Sequence, residues 1–280
     1  MALAIATNNA ALNAAASASS VNRDMETSMA RLSSGKRINS ASDDAAGVAI
    51  SSRLSAEIRG TDQAIRNSLD GQALIDTAEG AHKEIENILQ RMREVTIQAA
   101  NDTNNDQDRA NLQAEIEAMT TEIDRIAGTT TWAGADLMED ATTTFSFQVG
   151  AATGAKNQIS VTIETMNATG LGVGTGTASV VDVTDATKAN TGTGLIDAAI
   201  EDVNIQRSKL GAVSNRLNHT VNNLTNISSN LSAAKGGIED ADFALETTNL
   251  AKNQILQQAS TAMLAQANAS KQNVLSLLQG

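Results

Sequence analysis

Apolar residues recur along this chain at intervals of three and four, the spacing of a helix with one buried face. In 46–100, Ile85, Ile88, Met92, Val95 and Ala99 alternate in this way, and Ile50, Leu54, Ile58, Ile65 and Leu69 extend the face upstream. A helix of that length spans about 80 Å at ~1.5 Å per residue. Segment 106–127 repeats the pattern with Leu112, Ile116, Met119, Ile123 and Ile126. In 195–235, Val203, Leu210, Leu217, Leu224 and Leu231 fall every seven residues, with Val213 and Ile227 three residues after two of them. Three heptad segments predict a mainly α fold, a long coiled-coil-like bundle.

The two ends are also amphipathic, with unusually few charges. Residues 1–33 read as a helix whose apolar side is Leu3, Ile5, Leu12, Val21, Met25, Met29 and Leu32, with nothing charged before Arg23. Residues 243–280 carry Phe243, Leu250, Ile255, Leu256, Met263, Leu264, Val274, Leu275, Leu277 and Leu278 in a matrix of Ala, Gln and Asn. Apolar burial yields ~25 cal/mol per Å², so alanine-rich helices gain little per residue and need many neighbours. Copies of the same chain supply them, and heterologous contacts between copies build an open helical filament. A helical hairpin that completes a monomeric bundle is the alternative.

Helix one is expected to stop near Gly35, suited to a left-handed cap, and the next to start after Ser40 or Ser42 with Asp43 and Asp44 in its positive first turn. The polar run 101–108 reads as a turn between antiparallel helices. Between about 131 and 194 Thr, Gly and Ala dominate and the helical period disappears. Phe145, Phe147 and Val149 alternate with polar residues, as do Ile159, Val161 and Ile163, so the loop 150–157 can close a β-hairpin in a small, otherwise irregular insert. Its acids, Glu139, Asp140, Glu164, Asp182 and Asp185, outnumber Lys156 and Lys188, as on a solvated outer surface. The resulting partition is an inner domain of 1–33 plus 239–280, a linker 34–45, a bundle of 46–130 plus 195–238, and the insert 131–194.

Composition narrows the function. Four aromatic residues, one Trp and three Phe, are too few for an ordinary large core, and the absence of proline among 280 residues leaves long helices unbroken. No cysteine means no disulfide, thiol catalysis or thiolate metal site. A net charge of −12 opposes binding to nucleic acid. No apolar run is long enough to span a membrane. A cleaved signal peptide is not expected either, because no basic residue precedes Arg23 and Asn8, Asn9 and Asn13 interrupt the apolar run.

Catalytic patterns are missing. His82 and His219 lie far apart in sequence without ligand spacing and read as solvent-facing or edge residues. Asp102, Asn104 and Asp106 imitate a calcium loop, but Gln107 and Gln113 stand where its glycine and bidentate glutamate belong. The glycine-rich run 170–176 fits no phosphate-binding frame and reads as a flexible loop. No catalytic residue, metal site or cofactor is expected, and the chain reads as a non-enzyme.

Several long runs resemble bacterial flagellin: RLSSGKRINSASDDAAGVAIS at 31–51, LQRMREVTIQAANDTN at 89–104, EIDRIA at 122–127, IEDADFALETTNLAKNQILQQASTAMLAQAN at 238–268 and VLSLLQG at 274–280. The resemblance covers roughly 1–130 and 195–280, with a short central insert. It implies a structural subunit of the flagellar filament, the extracellular propeller of swimming bacteria. The terminal helices would line the filament channel, and the heptad segments would form the bundle around them. Implied partners are copies of itself, the flagellar cap and junction proteins, and a type III export apparatus with its chaperone. A further implied partner is host toll-like receptor 5, whose epitope maps onto Gln90, Arg91, Arg93, Glu94 and Glu115, with Val95 where many recognised members carry leucine. Other departures are Trp132-Ala133-Gly134 in place of Phe-Asn-Gly and an ending in Gln279-Gly280. The rival readings are a hook–filament junction protein of the same superfamily and a monomeric helical adhesin.

Overall fold

The computed structural model describes residues 7–139, 142–175 and 178–279, with side chains omitted at 178 and 272–279. Five helices dominate: α1 (Asn9–Ser34), α2 (Ala45–Ala99), α3 (Asp106–Thr129), α4 (Ala186–Glu239) and α5 (Phe243–Gln279). Among the described residues, six short strands lie between α3 and α4: β1 (Thr131–Trp132), β2 (Ala135–Asp136), β3 (Thr143–Gln148), β4 (Gln158–Ile163), β5 (Gly174–Thr175) and β6 (Ala178–Ser179). They pair in order as three antiparallel two-stranded sheets. Helices of 55 and 54 residues, α2 and α4, run unbroken because no proline interrupts them.

The chain forms two compact units, residues 1–58 with 230–280, and residues 59–229, so the division falls inside α2 and inside α4.

In the first unit α1 packs against α5. Asn8 caps α1, its side chain accepting from the Ala11 amide at 3.1 Å, and Gly35 ends it with φ 71°, a conformation that favours glycine. The chain then pairs with the end of α4: the Arg37 amide donates to the Glu239 carbonyl at 2.7 Å and the Ala241 amide to the Gly35 carbonyl at 3.0 Å. Asp43 and Asp44 stand before α2 rather than in its first turn. The Asp44 carboxylate accepts from the Gly47 amide at 2.8 Å and so caps the helix, whereas Asp43 accepts from the amides of Asn39 (3.0 Å) and Ser40 (2.8 Å) and holds the bend. These backbone donors, Ser40 foremost, keep the Asp43 carboxyl below the usual range.

The second unit holds the closed core. On α3 the heptad reading holds: Ile116 and Ile123 are buried, with Leu112, Met119 and Ile126 at the margin. Asn105 and Asp108 make a reciprocal capping box at its start. On α4 the buried line Ala189, Gly192, Ile196, Ala199, Val203, Gln206, Leu210, Leu217 and Leu224 continues the period, so the helix begins at Ala186, upstream of the expected 195. Small residues carry the seam there, and Asp185 accepts from the Thr187 amide at 2.7 Å.

Upstream on α2 the buried line is Thr61, Ala64, Ser68, Gly71, Leu74 and Ala78. Ile50 and Leu69, expected on the buried face, are exposed. The hairpin explains the substitution of small for large. In β3–β4, Phe145 lies opposite Val161 and Phe147 opposite Ile159, and a Cβ at Gly71 would meet the Phe147 ring at 3.2 Å. The glycine-rich run is not a free loop in its described part: Leu171 and Val173 are buried, and the Val173 and Gly174 amides donate to the Ala168 carbonyl.

His82 contradicts its expected place at the surface. It is 0% exposed on α2, and the Ala78 carbonyl one turn upstream is near the ring, but neither ring nitrogen meets an acceptor in good hydrogen-bond geometry. Burial holds the imidazole below the ordinary histidine range, opposed by the Ala78 carbonyl and the charge of Glu79 and helped by the charge of Arg207. His219 is exposed as expected.

Candidate functional site

The α1–α5 pair carries two different faces. Less exposed positions on α1 follow a heptad: Ala11, Ala14, Ala18, Val21, Met25, Ser28 and Leu32. On α5 the matching line is Glu246, Leu250, Asn253, Gln257, Ser260, Leu264 and Ala267. This seam is dominated by small and polar residues, so it buries little apolar area. Several of the large apolar side chains point elsewhere: Leu12 is 61% exposed, Phe243 58%, Ile255 66% and Met263 59%. Leu256 and Met29 are exposed with them.

The seventeen terminal residues singled out by pattern therefore divide. Leu12, Met29, Phe243, Ile255, Leu256 and Met263 form the outward set, whereas Val21, Met25, Leu32, Leu250 and Leu264 are half-buried along the seam. Leu3, Ile5, Val274, Leu275, Leu277 and Leu278 lie outside the residues whose side chains are described. Leu245, exposed by 58%, belongs to the outward set and escapes the sequence pattern. It lies in the first turn of α5, where the Asp242 carboxylate caps the Leu245 and Ala244 amides.

The second candidate surface lies in the 59–229 unit. Gln90, Arg91, Arg93 and Glu94 are exposed on α2, and Glu115 is half-buried on α3. Arg91 donates to Glu115 at 2.9 and 3.1 Å and to Glu94 at 3.0 Å, and Arg93 donates to Asp197 at 2.6 Å. These hydrogen bonds hold both guanidinium groups above their ordinary pKa, Glu115 first for Arg91 and Asp197 for Arg93. Being exposed, the pairs add little to stability and leave a charged surface free to be read by a partner. Gln90, Arg93, Glu94, Asp197 and Ile200 line a shallow groove of about 360 Å³. Val95 is separate from this surface: it is fully buried, with its methyls in the core of the bundle.

Among the described residues no three His, Asp or Glu side chains gather as a metal site, and no helix is long and apolar enough to cross a membrane.

Comparison with known proteins fits this organisation. Residues 5–143 match the bacterial flagellin N-terminal helical region and residues 193–278 the bacterial flagellin C-terminal helical region. A flagellin of Halalkalibacterium halodurans is 45% identical over 254 residues, covering 91% of this chain and 92% of that protein. A flagellin of Bacillus subtilis is 45% identical over 301 residues, covering 97% and 98%. Among solved structures, a putative flagellar hook-associated protein from Vibrio parahaemolyticus shares the fold at a TM-score of 0.59, with 16% identity over 71% of this chain and 100% of that one. Both ends of the sequence, the elements that build the exposed apolar faces, thus fall within matched regions, and the chain belongs to the bacterial flagellin family.

Proposed function

We infer that the chain is a structural, non-catalytic subunit that self-assembles head to tail into the bacterial flagellar filament, the propeller of swimming motility. Family membership supports this, and one observation carries it: the terminal pair turns Leu12, Phe243, Leu245, Ile255 and Met263 to solvent while the seam beneath is rich in small and polar residues. Apolar patches of this kind mark interaction surfaces, and surfaces on both ends of one chain suit repeated copies. Purified protein induced to assemble by salt is expected to form long filaments in electron micrographs. A chain lacking 1–33 is expected to remain a soluble monomer. Short oligomers in place of long filaments would favour a junction protein, and full assembly after both ends are trimmed would overturn the reading.

The finer parts of the proposal follow from the family. The subunit leaves the cell through a type III export apparatus with a chaperone, and meets the cap and junction proteins at the growing filament. Its inner domain is 1–33 plus 239–280, joined through 34–45 to a bundle of 46–130 plus 195–238, with 131–194 outermost. Toll-like receptor 5 would read Gln90, Arg91, Arg93, Glu94 and Glu115. The exposure of the four on α2 supports this, and loss of receptor binding in Arg91→Ala, with Trp132 fluorescence unchanged, tests it.

A further inference from the structure

The seam between α1 and α5 has an unusual problem of registration. Six of its fourteen heptad positions are alanine or serine, which offer no distinctive shape and pack almost equally well after a slide of one heptad. The seam's polar contacts are not equivalent under such a slide. Arg31 Nη1 donates to Glu246 Oε1 at 2.9 Å, Gln257 Nε2 donates to Asn22 Oδ1 at 2.8 Å, and Asn8 Nδ2 donates to the Ala267 carbonyl at 3.1 Å. From Asn8 to Arg31 is 23 positions along α1, and from Ala267 back to Glu246 is 21 along α5, so all three contacts belong to one antiparallel alignment. Ala14 and Met263, which line one groove, fit the same alignment.

We propose that the Arg31–Glu246 ion pair, with the Asn22–Gln257 and Asn8–Ala267 contacts, selects the register of the terminal helix pair and so determines which faces a subunit presents to its neighbours. The proposal rests on the filament reading and adds to it the residues that decide alignment. Burial makes the selection strong. The Glu246 side chain is only 6% exposed, and both Glu246 Oε2 and Arg31 Nε are buried without partners. An ion pair so incompletely satisfied contributes little net stability, yet losing its partner strands a buried charge. Sliding α5 by one heptad toward the start of α1 replaces Arg31 with Asp24 opposite Glu246 and sets two carboxylates together. Sliding it the other way carries Glu246 past the end of α1 at Ser34, toward Ile38. The first alternative leaves the Glu246 charge uncompensated, and the second would bring it near Lys36 and Arg37 only by breaking the Arg37–Glu239 and Ala241–Gly35 backbone hydrogen bonds.

Introduced cysteines read the register, since the chain has none of its own. Oxidation of the full chain carrying Ala14→Cys with Met263→Cys reports the observed alignment, and Thr7→Cys with Met263→Cys reports the slipped one. The first pair is expected to cross-link at least about a hundredfold more than the second, the difference that a stranded buried charge imposes. Glu246→Arg is expected to reverse the ratio, because the introduced guanidinium would meet Asp24 after the slide, and to slow filament growth. The double exchange Arg31→Glu with Glu246→Arg is expected to restore both. An unchanged cross-link ratio in Glu246→Arg overturns the proposal, as does a double exchange that restores neither property. The ratio is measurable in soluble chain as well, so a parent protein that never polymerises would contradict the filament reading without silencing this test.

Discussion

Replacing His82 with leucine, a side chain of similar size, should raise stability and change its pH dependence. The imidazole is 0% exposed, and neither nitrogen makes a hydrogen bond of good geometry. A neutral polar group buried in this way costs about 1–3 kcal/mol, so His82→Leu is expected to stabilise the 59–229 unit by ~1–2 kcal/mol at pH 7.5. Acid enlarges the difference. The folded pKa is depressed, chiefly by burial, so the unfolded chain takes up a proton that the folded chain resists. The parent is therefore at full strength above the unfolded pKa of about 6.5 and loses up to ~1.4 kcal/mol per pH unit as pH falls below it, toward the folded pKa. The charged groups acting on the ring are Glu79 on α2 and Arg207 on α4, whose guanidinium bonds Glu79 and also Glu86. Urea unfolding of dilute full chain, followed by the single tryptophan, Trp132, reads the same unit. The gap between variant and parent should widen from pH 7.5 to pH 5.5. Parallel stability curves across that range would refute the reasoning.

Three further outcomes are expected with the same assay. Ala133 and Gly134 sit at φ 49° and 84° between β1 and β2, a turn that favours Asn-Gly, so Ala133→Asn should stabilise by about 0.5–1 kcal/mol; no gain would show that this turn is not strained. Gly71→Leu drives a side chain into the Phe147 ring and should cost about 2 kcal/mol or more, unless the hairpin lifts without consequence. Arg207→Ala leaves Glu86, whose side chain is 17% exposed, without its cation and should cost about 1–3 kcal/mol, whereas a loss within error would place this pair with the inconsequential surface bridges.

Large side chains make much of the fold legible. Ile116 and Ile123 on α3, and Val203, Leu210 and Leu217 on α4, announce their helices because bulk repeating every seven residues is what a helix with one buried face requires. The alternation in 143–149 and 159–163 announces the hairpin in the same way. Close approach hides the rest. Where Phe147 presses on Gly71, or Val181 on Gly192, the buried residue must be small, and a reading that searches for bulk assigns the face to Leu69 or starts the helix too late. His82 is misplaced by its polarity, which normally signals solvent, and nothing nearby in sequence marks its burial. At the termini the pattern finds the residues but cannot sort them. Ile255 and Met263 face outward while Glu246 and Gln257 face the partner helix, an inversion that only the pairing of α1 with α5 reveals.

The central claim is that the outward apolar side chains of the terminal helices drive association of copies. Its most direct measurement is seeded filament growth, followed by light scattering and electron microscopy, comparing the intact chain with Leu12→Gln, Ile255→Gln and Met263→Gln combined. These positions are exposed in the subunit, so Trp132 fluorescence should report an unchanged 59–229 unit while growth is abolished. Growth of the triple variant at the parental rate, into filaments of parental length, would contradict the account.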